Sequence, residues 1–160
     1  MIRRRDVLLS APLLAFGAMA RQAVAQTVVH GADQRFSAPT VRLAWAIERG
    51  ATEATTTVVI RIANVAGSYA AVRVDGIDPF SKARAVLVAG QPLATQLDVR
   101  IARSRFAEFP STEIHLFASA TAAGAPPALT IFYLGVPDTT PEFTSAAAAD
   151  ADLARAVRDP

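Results

Sequence analysis

The sequence predicts an all-β fold, a sandwich of two antiparallel sheets followed by a short C-terminal helix. Three observations lead to this prediction. From residue 26 onward, apolar and polar residues alternate with a period of two in several segments, as in strands that bury one face. Turn-forming Gly, Pro and Asn residues separate these segments at intervals of roughly eight to twelve residues. No long segment with helical periodicity lies among them, and a small β-barrel is the alternative architecture.

Two consecutive segments predict a hairpin in the middle of this fold. Residues 57–64 are rich in β-branched side chains, and residues 41–48 alternate in the same way. Gly50 and its polar neighbours predict the turn between them. The residues predicted to face the core are Val41, Leu43, Trp45, Ile47, Val58, Ile60 and Ile62.

Shorter alternating or apolar segments predict the remaining strands. Pro79 cannot donate a ladder hydrogen bond and is expected to end one of them. The predicted strands are 27–29 at an edge, 70–75, 83–88, 97–101, 114–118 and 129–136. Seven or eight such strands resemble an immunoglobulin-like sandwich in architecture only, because the chain has no cysteine for the usual inter-sheet disulfide.

The last part of the chain, residues 139–160, predicts a helical tail after the sandwich domain of residues 26–138. A capping Thr, Pro141 at the first helical position and the early Glu142 are typical of a helix start. Residues 146–157 have high helix propensity. Leu153 and Val157 form only a thin apolar stripe, so we expect a marginal helix that is loosely docked or frayed.

The first 25 residues have the three parts of a cleaved export signal. Arg3, Arg4 and Arg5 form a charged start, an apolar run covers residues 7–19, and Ala23-Val24-Ala25 is a small-x-small cleavage site. Residues 4–8 resemble a twin-arginine leader, which implies a bacterial periplasmic protein that can fold before export. The general secretory route and an uncleaved N-terminal anchor remain alternatives. After cleavage no membrane attachment is expected.

The charge balance gives no reason to expect a nucleic-acid partner. The chain has 16 basic and 14 acidic residues, a formal charge of +2. Four of these basic residues and one acidic residue lie in the leader, so the remainder has 12 basic and 13 acidic residues. A nearly neutral domain has no general electrostatic attraction to nucleic acid or to an anionic membrane surface.

The residues that usually carry catalysis or bind metals are scarce. There is no Cys, and both Met residues lie in the leader. His30 and His115 are far apart in sequence and have no metal-ligand spacing, and His115 is expected to face away from the core on its strand. No nucleophile elbow or glycine-rich phosphate loop occurs. The sequence therefore predicts no catalytic residue, no metal site and no cofactor.

Two loops remain as candidate binding segments. Residues 103–110 contain Arg103, Arg105, Phe106 and Phe109, and residues 76–80 end in Phe80. Aromatic and Arg side chains are enriched where interfaces carry their binding energy. The alternative is that the three Phe side chains fold inward and close the open ends of the sandwich.

These observations favour a non-enzymatic periplasmic binding or accessory domain that contacts a partner protein through its loops. One alternative is a small-molecule binder or carrier with a pocket between the sheets or at one end. The other is a cofactor-free subunit of an exported redox enzyme, since twin-arginine export can carry a chain across together with a folded partner.

Overall fold

The computed structural model describes residues 26–118 and 124–159, so the predicted leader lies outside the described residues. The described chain forms strands, two helices and a short 3₁₀ turn at Glu53–Thr55. The strands are β1 (Thr27–Gly31), β2 (Arg35–Ser37), β3 (Val41–Glu48), β4 (Thr57–Asn64), β5 (Tyr69–Ile77), β6 (Arg84–Pro92), β7 (Gln96–Ala102), β8 (Ser111–Ala118), β9 (Leu129–Leu134) and β10 (Glu142–Phe143). The helices are α1 (Arg105–Glu108) and α2 (Ala146–Arg158).

The strands form two sheets. Sheet 1 has the order β1-β9-β8-β5-β6, and sheet 2 has the order β10-β3-β4-β7, with β2 also paired to β3. Neighbouring strands are antiparallel except for two parallel pairs, β1 with β9 and β10 with β3. The predicted two-sheet sandwich is confirmed. The sheets do not close into a barrel, so that alternative is wrong.

The core lies between the sheets and contains the residues that the alternation predicted. Trp45, Ile60 and Leu116 are buried in one cluster. The Trp45 ring lies 4.8 Å from the Tyr133 ring, centroid to centroid. In the predicted hairpin Trp45 pairs with Ile60, and the turn needs Gly50 because a Cβ there would lie 2.4 Å from the carbonyl carbon of Thr55.

The start of the C-terminal helix differs from the prediction. Pro141 and Glu142 are not helical: the Pro141 carbonyl accepts a hydrogen bond from the Ile47 amide, and β10 extends β3. The helix begins at Ala146, and the Ser145 hydroxyl caps it by accepting from the Ala148 amide at 3.2 Å. Strand pairing with sheet 2 therefore overrides the local helix-start signal.

The prediction that this helix is loosely docked or frayed is also wrong. Ala149 and Ala156 are buried together with the expected Leu153 and Val157, so four side chains are buried where two were predicted. These side chains pack on the outer face of sheet 2, against Ala44, Ala46 and Val59. Small residues on both surfaces bring the helix close to the sheet. None of the described helices is long and apolar enough to cross a membrane.

Candidate functional site

The two loops singled out in the sequence lie at the same end of the sandwich. Residues 78–83 connect β5 to β6, and residues 103–110 run from β7 in sheet 2 to β8 in sheet 1. Ile77, the last residue of β5, pairs with Ser111, the first residue of β8. The ends of these loops are therefore neighbours, and we call this part of the molecule the loop end.

Phe106 closes the core at the loop end. It lies on α1, is 9% exposed, and its ring centroid is 6.3 Å from that of Trp45. The alternative weighed for the aromatic loop residues, an inward lid, therefore applies to Phe106. A partner cannot contact this side chain without opening the core.

Phe109 is half-buried and packs at the base of the β5–β6 hairpin. A Cβ on Gly76 would lie 2.7 Å from the Phe109 Cβ, so this close approach requires a glycine at position 76. On its other side, the Arg105 guanidinium carbon lies 5.2 Å from the Phe109 ring centroid. Arg105 also pairs with Glu108 at 2.5 Å. Phe109 and Arg105 leave part of their surface accessible beside the hairpin.

Arg103 connects segments of the loop end to one another. Its Nη1 lies 3.3 Å from a Glu142 carboxylate oxygen, and its Nε lies 3.8 Å from one of Glu53. Glu142 also pairs with Arg49 at 2.7 Å. Because these side chains are partly solvent-exposed, such pairs contribute little individually. They hold Arg103 in a network and leave it less available to a partner than the sequence indicated.

Phe80 has the opposite environment from Phe106. Its side chain is 91% exposed at the tip of the β5–β6 connection. The connection is ordered by Asp78, whose carboxylate accepts hydrogen bonds from the Ser81 hydroxyl at 2.5 Å and the Phe80 amide at 2.9 Å. These two hydrogen bonds lower the pKa of Asp78. The Asp78 carbonyl also accepts from the Lys82 amide at 2.8 Å.

Lys82 completes this connection in an unusual backbone conformation. Its φ is +63°, in the left-handed region that non-glycine residues seldom adopt. Its ammonium group donates to the Pro79 carbonyl at 2.6 Å. Residues 78–83, which we call the Phe80 turn, thus present an exposed aromatic ring on a hydrogen-bonded backbone.

A second cluster, on the outer face of sheet 1, was not predicted. His115 faces away from the core, as expected, yet it is only 5% exposed. Its Nδ1 lies 2.9 Å from the Thr130 hydroxyl, and its Nε2 lies 3.2 Å from carboxylate oxygens of both Asp75 and Glu113. Burial lowers the pKa of His115 and outweighs the opposing effect of the two carboxylates.

The carboxylates of this cluster are already paired with arginines. Arg73 lies 2.9 Å from an Asp75 oxygen, and Arg84 contacts both oxygens of Glu113, at 2.9 and 3.3 Å. Within the described residues, no group of three His, Cys, Asp or Glu side chains could hold a metal ion. The cluster is a charge-balanced network: each carboxylate is committed to an arginine.

Nucleophilic chemistry also lacks an accessible group here. The Thr130 hydroxyl, the partner of His115, is only 2% exposed and also accepts a hydrogen bond from the Gln26 side-chain amide at 2.9 Å. The sequence signal for the cluster was the i, i+2 spacing of Arg73 with Asp75 and of Glu113 with His115. That spacing places each pair on one face of its strand. The sequence does not show that the two strands, β5 and β8, lie next to each other, because their pairing is a tertiary contact.

A cavity of about 320 Å³ lies elsewhere, on the surface of α2. It is lined by Phe143, Ala148, Ala151, Asp152 and Arg155, and the last two form an ion pair. None of the predicted loop residues lines it. Between the sheets, the position considered for a carrier pocket, large side chains such as Trp45 and Tyr133 are fully buried.

No protein-family model and no curated protein matches the sequence. The function therefore has to be argued from the side chains at the loop end and on the outer sheet faces.

Proposed function

We propose that this protein is a non-enzymatic periplasmic binding or accessory domain that docks on a partner protein through the Phe80 turn. One observation carries the proposal: a phenylalanine that is 91% exposed stands on a turn fixed by hydrogen bonds to Asp78. A large side chain held in water has no role in the stability of this domain. Its role is better explained by burial in another molecule.

The energetics favour a local anchor of this kind. Full burial of a phenylalanine side chain contributes about 1.5–3 kcal/mol. Ordering a flexible loop costs about 1–2 kcal/mol per residue, and a turn that is already ordered avoids most of that cost on binding. Aromatic anchors that insert into a partner's pocket are frequent among the residues that dominate interface energies.

The neighbouring side chains suit the rim of such an interface. Phe109 at the base of the hairpin and Arg105 beside it are partly exposed. Arg105 is paired with Glu108, which gives the rim both signs of charge. A polar rim around an apolar centre is the usual composition of protein interfaces. Phe80, Arg105 and Phe109 are thus the proposed contact residues, whereas Phe106 and Arg103 support the loop end.

The proposed location rests on the leader. Its charged start, apolar run and small-x-small site support export and cleavage after Ala25. Intact mass of the periplasmic species tests this, since a chain starting at Gln26 is expected and a full-length, membrane-pelleting chain contradicts it. Replacing Arg4 and Arg5 together by Lys should block export if the route is twin-arginine, and unchanged export indicates the general secretory route.

Site-specific photocrosslinking tests the contact itself. A photoreactive phenylalanine analogue at position 80 should give one discrete crosslinked partner in the periplasm. The matched control carries the analogue at position 65, because Val65 is also strongly exposed, at 49%, on the β4–β5 turn. A crosslink at both positions, or at neither, contradicts docking through the Phe80 turn.

A substitution then separates binding from stability. Phe80→Ala should abolish affinity capture of the crosslinked partner while leaving the thermal midpoint nearly unchanged, because the side chain is exposed. Retained capture contradicts the proposal. A captured partner that carries a redox cofactor supports the accessory role in an exported redox enzyme. A co-purifying small molecule without a protein partner supports the carrier alternative instead.

A further inference from the structure

The Phe80 turn leads directly into β6, which is an edge strand of sheet 1. The strand order of this sheet places β5 on one side of β6, and no other described strand pairs with its other side. An edge strand leaves a row of its backbone N–H and C=O groups without partners in the sheet. The exposed Phe80 ring is therefore followed in the chain by an open sheet edge.

The strand register shows which backbone groups of β6 point to the open side. The Asp78 amide donates to the Ala83 carbonyl at 2.9 Å, so these two residues form a hydrogen-bonded pair. In an antiparallel ladder such pairs alternate with non-hydrogen-bonded pairs, whose N–H and C=O groups point away from the partner strand. Counted from this pair, Ala85 lies in a hydrogen-bonded pair, whereas Arg84 and Val86 lie in pairs of the second kind. The N–H and C=O groups of Arg84 and Val86 are therefore directed away from β5.

The side chains along this edge are apolar. Val86 is 58% exposed, so the β5–β6 hairpin carries, with Phe80, two of the five strongly exposed large apolar residues in the described chain. Residues 85–91 contain no charged side chain. Charged side chains commonly protect an edge strand from further pairing, and β7 at the edge of sheet 2 has Asp98 and Arg100. This stretch of β6 lacks such charges.

We propose that the partner of the Phe80 turn contributes an extended segment that pairs with β6 as an additional strand of sheet 1. This inference rests on the proposed function and specifies the contact as backbone pairing at Arg84 and Val86 next to the Phe80 anchor. Strand addition takes its affinity from main-chain hydrogen bonds and its specificity from the side chains that alternate along the strand. The partner segment is expected to place an apolar side chain opposite Val86.

Two bulges limit the length of the added strand. The register between β5 and β6 shifts between Val74 and Asp75 and again between Val72 and Val74, and each shift inserts an extra residue in β6. A bulge bends its strand and interrupts regular pairing. The regular stretch is 84–86, about 10 Å long, at the end of β6 that adjoins the Phe80 turn. We therefore expect a short partner segment rather than a strand along the whole of β6.

Hydrogen exchange followed by NMR tests the pairing at the backbone. In the free chain that starts at Gln26, the amides of Arg84 and Val86 should exchange faster than the amide of Ala85, which bonds within the sheet. The isolated partner that crosslinking at position 80 identifies should slow exchange at Arg84 and Val86 at least about tenfold. Unchanged exchange at both amides overturns the proposal. Protection that rises with the concentration of the free chain also overturns it, since a second copy would then occupy the edge.

Two substitutions at position 86 separate backbone pairing from side-chain contact. Val86→Pro removes the outward N–H, and proline is tolerated in an edge strand where this group faces solvent. By isothermal titration calorimetry it should bind the isolated partner at least about fivefold more weakly than wild type. Val86→Thr is the matched control, because it keeps the amide and the branched shape, and it should bind more tightly than Val86→Pro. Equal affinities of the two variants overturn strand addition, and if Val86→Pro does not fold, the exchange measurement decides.

Phe80→Ala distinguishes this proposal from the proposed function. If Phe80→Ala abolishes binding while Val86→Pro binds like wild type, the partner docks on the Phe80 turn without adding a strand, and only the present inference fails. If neither substitution changes the affinity, the proposed function fails with it. Loss of binding in both variants, together with slowed exchange at Arg84 and Val86 in the wild-type complex, is the result expected.

Discussion

The two sheets have similar inner faces and contrasting outer faces. On the outer face of sheet 2, Ala44, Ala46 and Val59 leave room for α2, which buries them. On the outer face of sheet 1, residues such as Arg73 and Phe132 stand at the corresponding outward positions, and no described helix covers them. The small side chains at the contact let α2 pack directly on this face. The covered face is thus the one that presents small apolar residues to a helix.

The ionic networks of the two outer faces also differ, because only the one on sheet 2 includes a residue of α2. Under the helix, Arg61 donates two hydrogen bonds to Asp98, at 2.7 and 2.6 Å, and another to Asp150 of α2 at 2.5 Å. These hydrogen bonds raise the pKa of Arg61. On sheet 1, Arg73 pairs with Asp75 of the same strand, and Arg84 of β6 pairs across β5 with Glu113 of β8. The first network joins two layers, whereas the second stays within one layer.

The largest loss of stability is expected when a buried side chain of α2 is truncated. Leu153 is 1% exposed between α2 and sheet 2, so Leu153→Ala should lower the free energy of unfolding by about 2–5 kcal/mol. Phe132→Ala, on the uncovered face, should cost only about 1 kcal/mol because its ring is half-buried. Urea melts of both variants measure the difference. Equal losses of stability would show that the contact between α2 and sheet 2 stabilises the protein no more than side chains on the uncovered face do.

The next largest difference in stability is expected between substitutions of Arg61 and of Arg73. Arg61 is 3% exposed and bridges the layers, so Arg61→Ala should cost about 3 kcal/mol through lost packing and unpaired carboxylates. Arg73→Ala should cost less than about 1 kcal/mol, because its side chain is 39% exposed. Arg61→Met is the matched control that restores volume without charge. If Arg61→Met is as unstable as Arg61→Ala, the ionic contacts rather than packing hold the layers together.

Period-two alternation was sufficient to predict the inner faces of both sheets. It placed Trp45, Ile60 and Leu116 in one core because each strand buries one side against the other sheet. It could not predict the start of α2. The local Thr-Pro-Glu pattern around Pro141 favours a helix, but the backbone there pairs with β3, a partner about a hundred residues away in sequence.

The candidate site was predictable in part. Residue type and loop position identified Phe80 and Phe106 together but could not separate them, because burial of Phe106 depends on its contact with Trp45. The cluster around His115 was missed for a related reason. Its members lie on β5, β6, β8 and β9, and this strand order follows from the sandwich topology rather than from the sequence order.

Acidification should affect the uncovered face through His115. Its pKa is lowered in the folded chain because it is buried, whereas an unfolded histidine titrates near 6.5. As the pH falls below about 6.5, the unfolded chain therefore binds a proton that the folded chain does not. The free energy of unfolding should decrease by at most about 1.4 kcal/mol per pH unit from this group.

The measurement compares urea melts at pH 7.5 and pH 5.5, within about one unit of the unfolded pKa of histidine. His115→Gln should remove this part of the pH dependence, whereas the exposed His30 provides a matched control in His30→Gln. A steeper pH dependence in His115→Gln than in the wild type would mean that Asp75 and Glu113 stabilise the protonated imidazole in the folded state.

The smallest loss of stability is expected at Asp150, the exposed carboxylate of the Arg61 network under α2. Asp150 makes a 2.5 Å contact with Arg61, but its side chain is 69% exposed, whereas that of Asp98 is 26% exposed and accepts two hydrogen bonds. Asp150→Ala should therefore cost less than about 1 kcal/mol, since solvent screens the lost pair and alanine favours the helix. Asp98→Ala should cost more, because it leaves the buried Arg61 with a single carboxylate partner. Equal stabilities of the two variants in urea melts would mean that α2 positions Arg61 as strongly as its own sheet does.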